Sequence, residues 1–261
     1  MRSIPVPLPF LLAFVTVLFT YDALRAIDGP VIVGSLVFFA AVLYRRTWAL
    51  FPCALLFFFL YVASRYYPQW VWHVPIAGFL VPLALMAACC LPFAHLRARF
   101  LWLRKGNLDQ VTWFLVMLTS LVSALALILW ALWTDYLGVA TQMMAPLRET
   151  PRWFSYLVIV PGFALANAAA EELVYRGVLQ DALELSFPTR AWLVLGLQAS
   201  AFAAAHFQAG FPNGLTGYAM TFVYALMLGY LRQRTRGMLA PWAAHVAADA
   251  VIGVSLVLLA G

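Results

Sequence analysis

The chain has 261 residues, 65% of them hydrophobic and only 10% charged, with a mean hydropathy of +0.91. A soluble domain needs a largely polar surface, so this composition excludes one; runs that are apolar throughout, rather than alternating, also exclude a membrane β-barrel. The formal charge of +6, from 16 Lys+Arg against 10 Asp+Glu, lies mostly in short loops, where basic residues report membrane topology rather than nucleic-acid binding.

The pattern is that of an all-α, polytopic transmembrane helical bundle, with room for about eight or nine spans at roughly 20 residues each. Arg2 precedes an apolar run without a small-residue cleavage site, so the N-terminus reads as an uncleaved first span. Spans are predicted near Leu8–Leu24, Pro30–Tyr44, Trp48–Ala63, Val74–Ala94, Val111–Trp133, Trp153–Leu183, Ala191–His206, Leu215–Leu231 and Leu239–Leu259. The second and third are short, as tilted or re-entrant segments would be. The sixth is too long for one straight span, so its end is expected to emerge or bend. Breaks fall at Asp28-Gly29-Pro30, Arg45-Arg46, Tyr67-Pro68, Arg104-Lys105-Gly106-Asn107, Phe187-Pro188 and Phe211-Pro212-Asn213-Gly214. Cys53, Cys89 and Cys90 lie inside apolar runs without metal-type spacing and read as buried packing residues.

Nine spans with a cytoplasmic N-terminus put Arg2, Arg45, Arg46, Arg97, Arg99, Arg104, Lys105, Arg190, Arg232, Arg234 and Arg236 inside. Only Arg25, Arg65, Arg148 and Arg152 fall outside, which the positive-inside rule favours. Trp70, Trp72, Trp102, Trp113, Trp133 and Trp153 lie near span ends, where an aromatic belt belongs.

Against this apolar background, three groups of polar residues stand out after position 150. The first is Glu171-Glu172-x-x-x-Arg176. On a helix Glu172 and Arg176 are i,i+4 neighbours and can pair, while Glu171 projects about 100° away. The plain reading is a charge pair at a helix end; the functional one leaves Glu171 available as a base. The second is His206, which ends Phe202-Ala203-Ala204-Ala205-His206 and follows a small-residue surface suited to close helix approach. It reads either as a hydrogen-bonded interface histidine or as a catalytic one, and nearby Gln198 has no evident role. The third is His245-Val246-Ala247-Ala248-Asp249, whose acid shares a face with the imidazole and can orient it, or simply bond to it. Counting 1.5 Å per residue from the predicted cytoplasmic ends puts Glu171 at roughly 18 Å, His206 at roughly 24 Å, Asp249 at roughly 18 Å and His245 at roughly 12 Å. These depths are compatible with one cluster in the membrane interior.

These motifs, in this order, resemble the CPBP family of intramembrane proteases, which includes CAAX-prenyl endopeptidases and bacterial bacteriocin-processing and abortive-infection-like members. The resemblance covers about Trp153 to Val257. It implies a catalytic helical core over residues 151–261, preceded by variable transmembrane helices over residues 1–150. It implies further that Glu171 is the base that activates a water, shared with His206. His245 and Asp249 would serve the oxyanion, and Glu172 with Arg176 would support the arrangement. The last motif position is often Asn in this family, whereas here it is Asp249; an ionised carboxylate cannot donate to an oxyanion. Asp249 would then act by orienting His245.

The expected activity is that of an intramembrane endopeptidase, in the general class of peptide hydrolases. Its partners would be the lipid bilayer and a membrane-anchored or lipid-modified protein, cut by CAAX-type or C-terminal sorting-tail processing; no nucleic acid is expected. The expected location is the bacterial inner (plasma) membrane. No cofactor is favoured, although zinc held by Glu171, His206 and His245 is an alternative; the absence of HExxH argues for the metal-free route. A proton-coupled transporter would use the same groups as a relay, but no inverted repeat is evident. A non-catalytic scaffold or immunity protein would have no reason to keep Glu171, His206 and His245 together.

Overall fold

A computed structural model describes residues 50–66, 75–97, 100, 104–134, 150–207 and 211–260. Among these, regular structure is entirely helical. In chain order the helices are α1 (Phe51–Tyr66), α2 (Pro75–Cys90), the single turn α3 (Ala94–Arg97), α4 (Gln110–Trp133), α5 (Arg152–Ser186), α6 (Ala191–Ala205), α7 (Gly214–Thr235) and α8 (Leu239–Ala260). The spans predicted at Leu8–Leu24 and Pro30–Tyr44 lie outside the described residues.

The described residues account for part of the expected eight or nine spans. Among the described residues four helices are long and apolar enough to cross a membrane: α4, α5, α7 and the Leu239–Leu258 stretch of α8. Helices α1 and α2 have 16 residues each and α6 has 15, so these are shorter apolar helices. The sixth predicted span is one helix of 35 residues. It stays continuous by widening into π-helical turns at Ser155–Ile159 and Leu173–Leu179. Such turns fit an extra residue without breaking the backbone ladder and occur often at functional sites.

Helix α4 shows how a bilayer sorts side chains. Thr112, Thr119 and Ser123 are buried beside Val116, Leu127 and Trp130, whereas Met117, Leu129, Leu132 and Trp133 are exposed. The hydroxyls turn inward because lipid cannot satisfy them; Ser123 Oγ, for example, donates to the Ser120 carbonyl at 3.0 Å. Of the belt tryptophans, Trp113, Trp133 and Trp153 are exposed as expected; Trp70, Trp72 and Trp102 lie outside the described residues. The three cysteines are free thiols, but only Cys53 and Cys90 are buried. Cys89 sits on the outward face of α2, which corrects the expectation for that residue.

Helix α7 packs on α6 and α4, α8 packs on α5 and α4, and α1 packs on α2. The largest core cluster joins α1 and α2 (Leu56, Leu60, Met86, Cys90) to α5 and α6 (Val174, Leu179, Leu183, Phe202). Gln198 finds its role here. It is fully buried, and its Nε2 donates to the Ala225 carbonyl of α7 at 2.9 Å. Gln180 of α5 reaches the neighbouring Gly229 carbonyl at 3.2 Å. A Cβ on Gly229 would stand 2.5 Å from Gln198 Nε2, so a larger residue there would displace that amide.

The turn between α7 and α8 is strapped to the segment before α4. Asn107 N–H donates to the Thr235 carbonyl at 2.9 Å, and Met238 N–H to the Arg104 carbonyl at 2.8 Å. Gly106 has φ +87°, and a Cβ on it would meet the Thr235 oxygen at 2.8 Å, so glycine alone fits that crossing. Asp109 caps α4 by accepting from Thr112 N–H at 2.7 Å and pairs with Arg234 at 3.0 Å. Arg104, Lys105, Arg232, Arg234 and Arg236 thus gather at one end of the bundle.

Candidate active site

The site begins where α5 crosses α8. Glu171 and Glu172 occupy the last two α-helical positions before the second π-helical turn, and Arg176 lies within that turn. All three are buried, Arg176 completely. Arg176 Nη1 donates to Glu172 Oε1 at 2.8 Å, the i,i+4 pair expected from the spacing. The same oxygen takes a second hydrogen bond, from His245 Nδ1 of α8, also at 2.8 Å.

His245 is gripped on both nitrogens. A carboxylate only accepts, so Nδ1 carries a proton toward Glu172. Its Nε2 faces Glu171 Oε2 at 3.4 Å and Asp249 Oδ1 at 3.6 Å. Adjacent carboxylates that project about 100° apart on a helix therefore straddle one imidazole. The shortest contact that orients His245 comes from Glu172, one helix away, rather than from Asp249 on its own helix. Arg176 explains the difference, because it fixes the Glu172 carboxylate at the place where α8 presents the ring.

With Nδ1–H committed to Glu172, the region among Nε2, Glu171 Oε2 and Asp249 Oδ1 must hold at least one proton. A bare lone pair facing two anions would be repulsive in this dry setting. The arrangement is thus a small proton store between an imidazole and two carboxyl groups.

Asn167, absent from the sequence-based set, completes the cluster. It lies one turn before Glu171, is buried, and donates from Nδ2 to Asp249 Oδ2 at 3.1 Å. It could have been found by the test applied to the charges, as a polar residue inside an apolar run.

Phe202 is the second residue the spacing left without a role. Its ring sits 4.3 Å beneath the Arg176 guanidinium, 4.9 Å from Tyr175, 4.7 Å from His206 and 5.8 Å from His245. The arginine face contact is a cation–π interaction, which gains strength when water is excluded. Phe202 also fixes His206, whose Nδ1 lies 2.9 Å from the Phe202 carbonyl. A carbonyl only accepts, so Nδ1 must donate, and in the neutral ring Nε2 keeps its lone pair. His206 caps α6 at its C-terminus and is half-buried, the most accessible of these ionisable side chains.

His206, His245 and Asp249 line one cavity of about 460 Å³, its mouth included. Ser123 and Leu127 of α4, Met220 and Tyr224 of α7, and Phe211 and Pro212 of the α6–α7 connection form much of its wall. Glu171 adjoins this wall through His245. Helix α4 precedes residue 151 yet supplies part of the cavity. Among the described residues no three His, Cys, Asp or Glu side chains are grouped to hold a metal ion. The structure thus brings Glu171, Glu172, Arg176, His245 and Asp249 into direct contact and sets His206 beside them across Phe202.

Compared with known proteins, residues 152–251 match the family model described as type II CAAX prenyl endopeptidase, Rce1-like. No curated protein and no solved structure matches the chain significantly. The matched stretch contains all six residues singled out in the sequence, together with Asn167 and Phe202. Joined to helices long and apolar enough for a bilayer, it marks an integral membrane protein whose residues 152–251 are similar to the Rce1-like type II CAAX prenyl endopeptidases.

Proposed function

We propose that the protein is an intramembrane endopeptidase that cuts a membrane-anchored protein through a water activated by Glu171 and His206. The observation that carries this reading is the convergence of α6 and α8 on one cavity lined by His206, His245 and Asp249, with Glu171 of α5 directly behind its wall, 3.4 Å from His245 Nε2. Glu171 takes a proton from water as the oxygen adds to the scissile carbonyl carbon. His245 Nε2, with its proton, stabilises the oxyanion that forms. The carbon–nitrogen bond then breaks, and the proton held by Glu171 or His206 passes to the leaving amine. Glu172 and Arg176 hold His245 rather than touching substrate. Helix α4, which precedes residue 151, shapes access to the cavity.

The cavity also bears on the direction of approach. Its wall is built from the C-terminal half of α4, the N-terminal half of α7 and the connection through Phe211 and Pro212. These lie away from the end that carries Arg104, Lys105, Arg232, Arg234 and Arg236. With the basic end cytoplasmic, substrate enters from the outer half of the membrane, which favours processing of C-terminal sorting tails over CAAX processing.

The test compares membrane-protein termini in cells expressing wild type and Glu171→Gln at equal levels. New termini confined to the wild type, lying beside transmembrane segments, support the reading. Identical termini together with solute flux through purified protein would replace it with the transporter. A chelator series on purified protein tests the metal-free mechanism: unchanged cleavage supports it, whereas loss restored by zinc overturns it.

A further inference from the structure

Asp249 has two oxygens in different settings, and Asn167 decides which is which. Oδ2 lies 3.1 Å from Asn167 Nδ2, and Oδ1 faces His245 Nε2 at 3.6 Å. An amide nitrogen can only donate, so Oδ2 is committed as an acceptor. A proton carried by the Asp249 carboxyl can therefore reside only on Oδ1. Both side chains are buried, and Asn167 Nδ2 is the donor that the structure sets against Oδ2.

From this geometry, and resting on the protease reading above, we infer that Asn167 is a positioning residue of the site. It turns the protonatable oxygen of Asp249 toward His245 Nε2. Asp249 can then pass a proton to the imidazole or take one from it, without a change of rotamer. The carboxylate accepts from Asn167 throughout, and no atom other than the proton moves. Because Asn167 sits four residues before Glu171 on α5, one helical face carries both the base and the group that orients the acid. Glu172, Arg176, His206 and Tyr224 are the remaining polar and charged groups packed around this pair.

Two measurements test the assignment. The first is steady-state cleavage by the full-length protein in proteoliposomes, using whichever tail peptide the wild type cuts. Asn167→Ala is expected to lower kcat tenfold to a hundredfold with KM changed less than twofold. Asn167→Asp sets two carboxyls against each other and lowers kcat further. Asp249→Asn removes the titratable group through which Asn167 acts, so adding Asn167→Ser to it should lower kcat less than twofold further. The second needs no substrate: the chain has four histidines, so histidine-selective carbon labelling gives few resonances. Asn167→Ala should displace the His245 resonance and leave that of His95 in place.

Wild-type kcat in Asn167→Ala with an unmoved His245 resonance overturns the inference. So does a tenfold or larger further loss when Asn167→Ser is added to Asp249→Asn, and this arm stands even if Asn167→Ala fails to fold. A wild type that cleaves nothing sinks the protease reading instead, while the resonance still reports on the Asn167–Asp249–His245 contact.

Discussion

At the end of the bundle where α7 gives way to α8, backbone meets backbone: Met238 and Asn107 N–H groups close onto opposing carbonyls across a glycine crossing. Toward the other end, around His206, side chains of α4, α6, α7 and α8 surround open space. The first region holds by close approach and tolerates no added atom; the second keeps room and sets His206, His245 and Asp249 along its wall. Between them lies the Glu172–Arg176–His245 grip, which belongs to the site but is as tightly packed as the strap. A substitution should therefore reveal which region it touches by whether it changes folding, chemistry or both.

Arg176→Ala should have the largest effect, because it breaks both at once. It leaves Glu172 as a buried carboxylate with half its partners and strips the cation from Phe202. A loss of about 3–5 kcal/mol of stability is expected from removing one member of a buried pair, together with all measurable cleavage. Thermal unfolding in detergent and a cleavage assay would check both, and Arg176→Lys should not restore the bidentate-capable geometry.

His206→Ala separates chemistry from folding. Cleavage should fall by roughly 10²–10⁴-fold, the usual contribution of a general acid–base group. The melting temperature should stay near that of the wild type, since His206 is half-buried and caps a helix end. A matching fall in melting temperature would reassign it to the packed region.

Gly106→Ala is the converse. A positive φ and a backbone clash should cost about 1–3 kcal/mol while kcat, measured well below the melting temperature, stays unchanged. A fall in kcat at that temperature would mean that the strap and the cavity are not independent.

The smallest effect belongs to Asp109, at the solvent edge of α4. Hydrogen bonds from Thr112, helped by Arg234, hold its carboxyl below the ordinary value. A depressed folded pKa adds stability above the unfolded value of about 3.9, and that stability is lost as pH falls through the folded pKa. The wild type should thus lose its small advantage over Asp109→Ala below about pH 4, as seen in paired melting curves.

Much of this was legible in the residues. The starts and ends of α4 to α8 fall within a few residues of the apolar runs, because Gly, Pro and Arg clusters interrupt them. Both i,i+4 pairs appear as expected, since that spacing alone brings their side chains together. The Glu172–His245 bond was not legible: 73 residues separate its partners, and no local period reports which helices pack. The same limit assigned the orienting role to Asp249, which the chain places next to His245, instead of Glu172, which the fold does. Asn167 went unnoticed because an uncharged amide in an apolar run attracts less attention than a carboxylate.

The shortness of α6 carries one more consequence. Fifteen residues rise roughly 22 Å, against a hydrocarbon thickness of about 30 Å. A bilayer flanking this helix would have to thin or admit water next to His206. A hydrolase in lipid lacks its second reactant unless something brings it in. On the proposed mechanism, the early stop of this helix works as the inlet, bringing solvent past the half-buried imidazole toward Glu171 behind it.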